Sequence, residues 1–185
     1  MPSSQKPARP REPLNETGLY DYAVRALGRR MRTETELRRL MGQRVQPGER
    51  GEQLIAVVIA RLKEQRYLDD ASYAETYTRL RQENEKFGAL RVRKDLRQKG
   101  VSASLTEQAV DARYGQTNEE ALARQYIDRK RIAKPESPKD TARLMRRLVV
   151  AGFSTGTIYK ILRQWEVPDQ LLEALDNLSE EPGQR

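Results

Sequence analysis

The 185 residues include no cysteine and no histidine. Without cysteine there is no disulfide framework, no thiolate nucleophile and no thiolate metal site. Without histidine the commonest metal ligand and the commonest general base are also missing. Most metallohydrolases and catalytic triads are thereby excluded, while a Ser–Lys or carboxylate site stays open. No apolar run approaches the ~18–20 residues that span a bilayer. The opening Met1-Pro2-Ser3-Ser4-Gln5-Lys6-Pro7 lacks the apolar core of a secretory signal. A soluble, cytoplasmic chain without a membrane partner is expected. Strand signals are scarce too: β-branched residues do not alternate with polar ones, and no Asn-Gly or Asp-Gly hairpin occurs.

What is present is charge and helical periodicity. Charged residues are 34% and hydrophobic ones 37%, with 35 Lys+Arg against 27 Asp+Glu. That mixture suits thin helical layers in which long charged side chains lie over a narrow core. The pI near 9.8 favours an acidic or polyanionic partner.

Residues 1–17, with Pro2, Pro7, Pro10 and Pro13, are expected to form a disordered arm, and 179–185 a frayed tail. Between them helices follow from period and caps. Leu19, Tyr22, Ala23, Ala26 and Leu27 share one face. Thr33-x-x-Glu36 reads as a capping box ahead of Leu37, Leu40 and Met41. Leu54, Ile55, Val58, Ile59 and Leu62 make the next stripe. Asp69 and Asp70 stand where an N-cap belongs, before Tyr73, Ala74, Tyr77 and Leu80. Phe87-Gly88 breaks the chain, and Ala89, Val92 and Leu96 lead to a stop at Gly100. Ser104-x-x-Glu107 reads as a second capping box, and Asn118 as the cap before Leu122, Tyr126 and Ile127. Pro135 and Pro138 are expected to end that helix. Leu144 and Leu148 mark the next, then Ile158, Ile161, Leu162 and Trp165, and Pro168-Asp169 opens a last helix through Leu171, Leu172, Leu175 and Leu178.

Two segments match at an offset of 52: Arg91/Arg143, Val92/Leu144, Lys94/Arg146, Leu96/Leu148, Gly100/Gly152, Val101/Phe153 and Ser102/Ser154. Setting Leu37 on Val92 and Met41 on Leu96 gives a third, weaker copy. The expected fold is all-α, an elongated tandem array of three three-helix, helix-turn-helix-like repeats at 18–68, 69–115 and 116–178, the last with an extra C-terminal helix.

Charge gathers on the middle helices. Residues 25–44, 79–99 and 122–147 hold 24 of the 35 basic residues and 8 of the 27 acids. With Val92 and Leu96 inward, Lys94 lies about 160–200° away at 100° per residue and faces solvent. Its repeat-equivalents are Arg39 and Arg146. Three concordant outward cations suit a periodic anionic partner, whereas a merely solvated face would account for one such helix.

The stretch Tyr67-Leu68-Asp69-Asp70-x-x-Tyr73-Ala74-x-x-Tyr77, then Arg81, Phe87-Gly88, Leu90-Arg91, Arg93, Leu96 and Lys99-Gly100-Val101, resembles the RecX regulators of the RecA recombinase. Weaker agreement runs from about Leu19 to Leu178. The polar connector Gly42–Gly51 and the Pro-rich arm depart from that pattern. The resemblance implies helix-turn-helix-like units without catalytic activity. It further implies binding to RecA and to the RecA–single-stranded DNA filament, in its groove or at its end, which restrains strand exchange, ATP hydrolysis and coprotease activity. On that basis the expected contacts are Arg39, Arg91, Lys94, Arg97, Lys99, Arg143, Arg146 and Arg147, and the structural motif is Asp69, Asp70, Tyr73, Tyr77, Gly88, Leu96 and Gly100. Capping is the simpler role for the two aspartates, and core packing for the two tyrosines. No phosphate loop G-x-x-x-x-G-K-[ST] occurs, and no cofactor or metal is expected. A monomer is expected. Weak direct DNA binding is expected beside the RecA contacts, and two rivals are a stand-alone helical nucleic-acid-binding module and a catalytic protein with a cryptic carboxylate site.

Overall fold

Small polar side chains start most of the helices. The structure, a computed structural model, describes residues 12–167. Asn15, Thr33, Ser102, Asn118, Ser137 and Ser154 each accept a hydrogen bond from the backbone N–H three residues on, a group with no partner inside the helix. The helices they and their neighbours begin are α1 Glu16–Arg29, α2 Glu34–Gly42, α3 Glu49–Glu64, α4 Asp70–Leu80, α5 Ala89–Gln98, α6 Ala103–Tyr114, α7 Glu119–Arg129, α8 Pro138–Ala151 and α9 Thr155–Gln164. A π-helical turn, Arg81–Glu85, continues α4. There is no strand among the described residues, so the chain is all-helical there, as its pattern predicts.

Several local expectations are corrected. Helix α1 starts at Glu16, inside the stretch assigned to a disordered arm, because Asn15 caps it and the Leu14 N–H donates to the Arg44 carbonyl at 2.7 Å. The cap of α6 is Ser102, not Ser104, and Glu107 is engaged by arginines instead of closing a box. Leu80 is exposed while Thr78 is fully buried: the inward stripe runs through Ala74 and Thr78 to Gln82 in the π turn, and Leu80 lies off it. Pro138 begins α8 instead of ending α7: with Ser137 as cap it takes the first-turn position, where a missing N–H costs nothing. The remainder of the arm, the helix expected at Leu171–Leu178 and the tail lie outside the described residues.

The chain divides into two compact units. The first takes the chain as far as Tyr73 together with Lys99–Val101, and the second takes Ala74–Gln98 and the chain from Ser102 onward. In the first, Leu19, Ala23, Leu37, Met41, Ile55, Val58, Ile59, Leu62 and Leu68 form one apolar cluster. In the second, Leu122, Tyr126, Leu144, Leu148, Phe153, Ile158, Ile161 and Leu162 do so, with Phe87 and Tyr114 packed against them. Each buried Leu or Ile contributes about 1.5–3 kcal/mol relative to exposure. Lean as the composition is, these stripes are what hold the helices in place.

Candidate functional site

The residues matched at an offset of 52 occupy matching environments. Gly100 and Gly152 both have left-handed backbones, with φ of 82° and 91°. Ser102 and Ser154 follow as N-caps of α6 and α9. Val92, Leu96, Leu144 and Leu148 are all buried.

Both glycines are also points of close approach, by the Thr35 side chain at Gly100 and by the Arg91 backbone at Gly152. In the second unit the Gly88 N–H donates to the Ala151 carbonyl at 2.9 Å, and the Leu90 N–H to the Gly152 carbonyl at 3.3 Å. The last carbonyls of α8 thus satisfy the first N–H groups of α5, with opposite ends of the helix dipoles facing. In the first unit the start of α2 meets residues 99 and 100. Thr33 Oγ1 donates to the Lys99 carbonyl at 2.6 Å, and Thr35 Oγ1 to the Gly100 carbonyl at 3.3 Å. When Leu37 is set on Val92, Thr33 falls on Gly88. Repeat-equivalent residues therefore meet in both units, through threonine hydroxyls in the first and backbone N–H groups in the second.

The paired aspartates separate into two capping jobs. Asp69 caps its own helix, accepting from the Ala71 N–H at 2.9 Å and the Ser72 N–H at 3.1 Å. The Ser72 hydrogen bonds hold its carboxyl below the usual range. Asp70 accepts instead from the Glu34 N–H at 2.9 Å and so caps α2, and burial pushes its carboxyl up. Tyr73 is buried; Tyr77 is half-buried, donates to Asp95 at 3.1 Å and has the Arg81 guanidinium 4.8 Å over its ring. Burial of Tyr73, and the Arg81 guanidinium over Tyr77, fit packing roles for the two rings. Among the described residues no three His, Cys, Asp or Glu side chains gather to hold a metal.

The basic side chains fall into two groups. Arg91 pairs with Asp95 at 2.9 Å and lies over the Phe87 ring. Arg97 pairs with Glu107 at 2.6 Å, and Arg143 lies 3.6 Å from Asp140. Lys99 reaches Glu36 at 3.1 Å; burial opposes its charge, but Glu36 and Tyr73 together keep its ammonium above the ordinary value. Arg93, which belongs to the motif but not to the expected contacts, forks between Glu107 and Asp111 at 2.6 Å each. Against these, Arg39, Lys94, Arg146 and Arg147 are exposed and form no ion pair among the described residues. Around the Gly88–Gly152 approach, Leu90, Val149 and Val150 are exposed as well. Lys94 stands one turn after Leu90, and Arg146 one turn before Val150.

A family model for the second three-helix domain of RecX matches residues 69–110, the stretch that holds Asp69, Asp70, Gly88, Lys94 and Gly100. A regulatory protein RecX from Cronobacter sakazakii is 36% identical over 157 residues, which cover 80% of this chain and 92% of that protein. The chain belongs to the RecX family. Two RecX crystal structures share the fold. One superposes with a TM-score of 0.66 at 21% identity, covering 80% of this chain and 71% of its own. The other, from Lactobacillus salivarius, has a TM-score of 0.63 at 20% identity and covers 87% and 96%. The likeness to RecX structures therefore accounts for the all-helical repeat architecture. No helix among the described residues is long and apolar enough to cross a membrane.

Proposed function

We propose that this RecX-family chain is a non-enzymatic regulator that binds RecA and its filament on single-stranded DNA. It restrains ATP hydrolysis, strand exchange and coprotease activity by favouring one filament state, which requires only differential affinity and no chemistry. The observation that carries this reading is the set Arg39, Lys94 and Arg146. They are repeat-equivalent, outward and unpaired, whereas neighbouring cations of the same helices are tied to carboxylates. Charges left without internal partners at the same place in three repeats are suited to one repeating anionic surface. Contacts that are weak singly combine through effective concentration once the first has formed.

The exposed Leu90, Val149 and Val150 favour a protein surface over a bare phosphodiester, because apolar side chains flanked by cations gain from burial against protein. Arg147 belongs with the free cations; Arg91, Arg97, Lys99 and Arg143 act mainly by shaping the face. The three repeats expected at 18–68, 69–115 and 116–178 are the units that present it. Purified RecA, single-stranded DNA and ATP supply the test. Substoichiometric amounts of the chain should slow ATP hydrolysis and strand exchange, and rates that stay constant up to saturating amounts would contradict the proposal.

A further inference from the structure

The first unit carries a second basic feature that the middle-helix cations do not include. Arg25, Arg29, Arg32 and Arg44 line a cleft of about 450 Å³, with Tyr22 and Leu40 completing its wall. No carboxylate lines it, and none of the four arginines forms an ion pair among the described residues. Two are aimed by the backbone: Arg25 Nε donates to the Asp21 carbonyl at 3.1 Å, and Arg32 Nε to the Ala26 carbonyl at 3.3 Å. The Arg44 guanidinium lies 4.8 Å over the Tyr22 ring, and its buried Nε has no hydrogen-bond partner. Four forked donors without an acid between them leave a strong local positive potential and an unsatisfied buried N–H. Guanidinium groups match the oxygens of phosphate bidentately.

Arg32 also lines the adjoining hollow, about 350 Å³, with Met31 and Tyr67. These are among the large apolar side chains left in solvent, 49% and 56% exposed. The one carboxylate there, Asp69, is already occupied by the Ala71 and Ser72 amides. A basic cleft continuing into an exposed aromatic ring is the combination that holds an unpaired strand: cations track the phosphates while a base stacks on the ring. An acidic peptide would use the cations but not Tyr67. We propose that this track in the first repeat binds single-stranded nucleic acid directly, with phosphates at Arg25, Arg29, Arg32 and Arg44 and a base against Tyr67. The site needs no RecA, so it stands or falls separately from the regulatory reading.

The test is fluorescence anisotropy of a labelled oligo(dT) with the full chain at several salt concentrations, RecA being absent. Arg25→Gln/Arg29→Gln should lower the slope of log affinity against log salt by about 1.4, the loss of two phosphate contacts on a single strand. Arg25→Lys/Arg29→Lys, which keeps the charge, should restore it. Tyr67→Ala should weaken the single strand by at least about fivefold and leave binding to a duplex of the same length unchanged. All three sites are exposed, and thermal melts matching the parent establish that the variants fold. An unchanged slope in the glutamine variant would overturn the proposal. So would parental affinity in Tyr67→Ala, or displacement of the oligonucleotide by polyglutamate of equal charge as readily as by unlabelled oligo(dT).

Discussion

Replacing Gly88 with alanine tests the backbone contact between α5 and α8 most cleanly. A Cβ at this position would stand 2.8 Å from the Phe153 nitrogen and closer still to the Gly152 carbonyl oxygen. The neighbour is backbone and cannot swing aside, so α5 and α8 must separate. Separation removes the Gly88–Ala151 and Leu90–Gly152 hydrogen bonds, worth about 0.5–1.5 kcal/mol each, and overpacking adds about 1–3 kcal/mol. A loss of about 3 kcal/mol is expected, or a fall in Tm of about 6–12 °C for a chain of this size. Gly88 has no left-handed backbone, so the effect isolates close approach from conformational strain. Gly156 is the control: it sits in α9 with open space where a Cβ would go. Gly156→Ala should stabilise by about 0.5 kcal/mol through helix propensity. Urea unfolding followed by circular dichroism measures both. A Gly88→Ala variant within 1 kcal/mol of the parent would refute the claim that this approach is tight.

Two further results are expected from the caps. Ser102→Ala should cost about 1 kcal/mol, whereas Ser104→Ala, exposed inside α6, should cost nothing or gain slightly; equal losses in urea melts would restore Ser104 as the cap. Glu119 accepts from the Ser154 N–H at 2.8 Å and from the Ser154 and Thr157 hydroxyls. Burial pushes its carboxyl up, yet these bonds outweigh burial and hold it below the usual range. A lowered folded-state pKa gives stability that is present above the unfolded pKa and lost as the pH falls through the folded one. Glu119→Ala should therefore cost about 1.5–3 kcal/mol near neutral pH, with the gap narrowing in acid below about pH 4. A pH-independent gap would show that charge plays no part.

The sequence carried the helices and the repeat because both follow from local periodicity. Pairing at an offset of 52 put Gly100 with Gly152 and Ser102 with Ser154, and each pair takes matching roles. That alignment already contained the signal for the Ser102 cap, which the more familiar spacing of Ser104 and Glu107 obscured. Leu80 was misplaced because the inward positions go to two polar residues, Thr78 and Gln82, and Gln82 is held from a distance: it donates to Thr117 at 2.9 Å and accepts from Arg113, 31 positions away. Nothing within 81–85 announces either partner. The same limit applies to charge. Counting cations along α5 cannot tell that Arg93 and Arg97 will meet Glu107 while Lys94 stays free, because pairing is settled by which face α6 covers. Arg25, Arg29, Arg32 and Arg44 all fell inside a basic window, but only the fold brings them into one cleft.

The regulatory reading rests on unpaired cations mattering where paired ones do not. Two triple variants lose the same three charges: Arg39→Gln/Lys94→Gln/Arg146→Gln from the free set, and Arg38→Gln/Arg79→Gln/Arg124→Gln from residues paired with Glu34, Glu83 and Glu120. Titrating each against RecA assembled on single-stranded DNA, with ATP hydrolysis as the readout, compares them directly. The first should need at least tenfold more protein for half-inhibition, about 1.4 kcal/mol of binding, while the second should stay within threefold of the parent. Equal potency of the two variants would contradict the account.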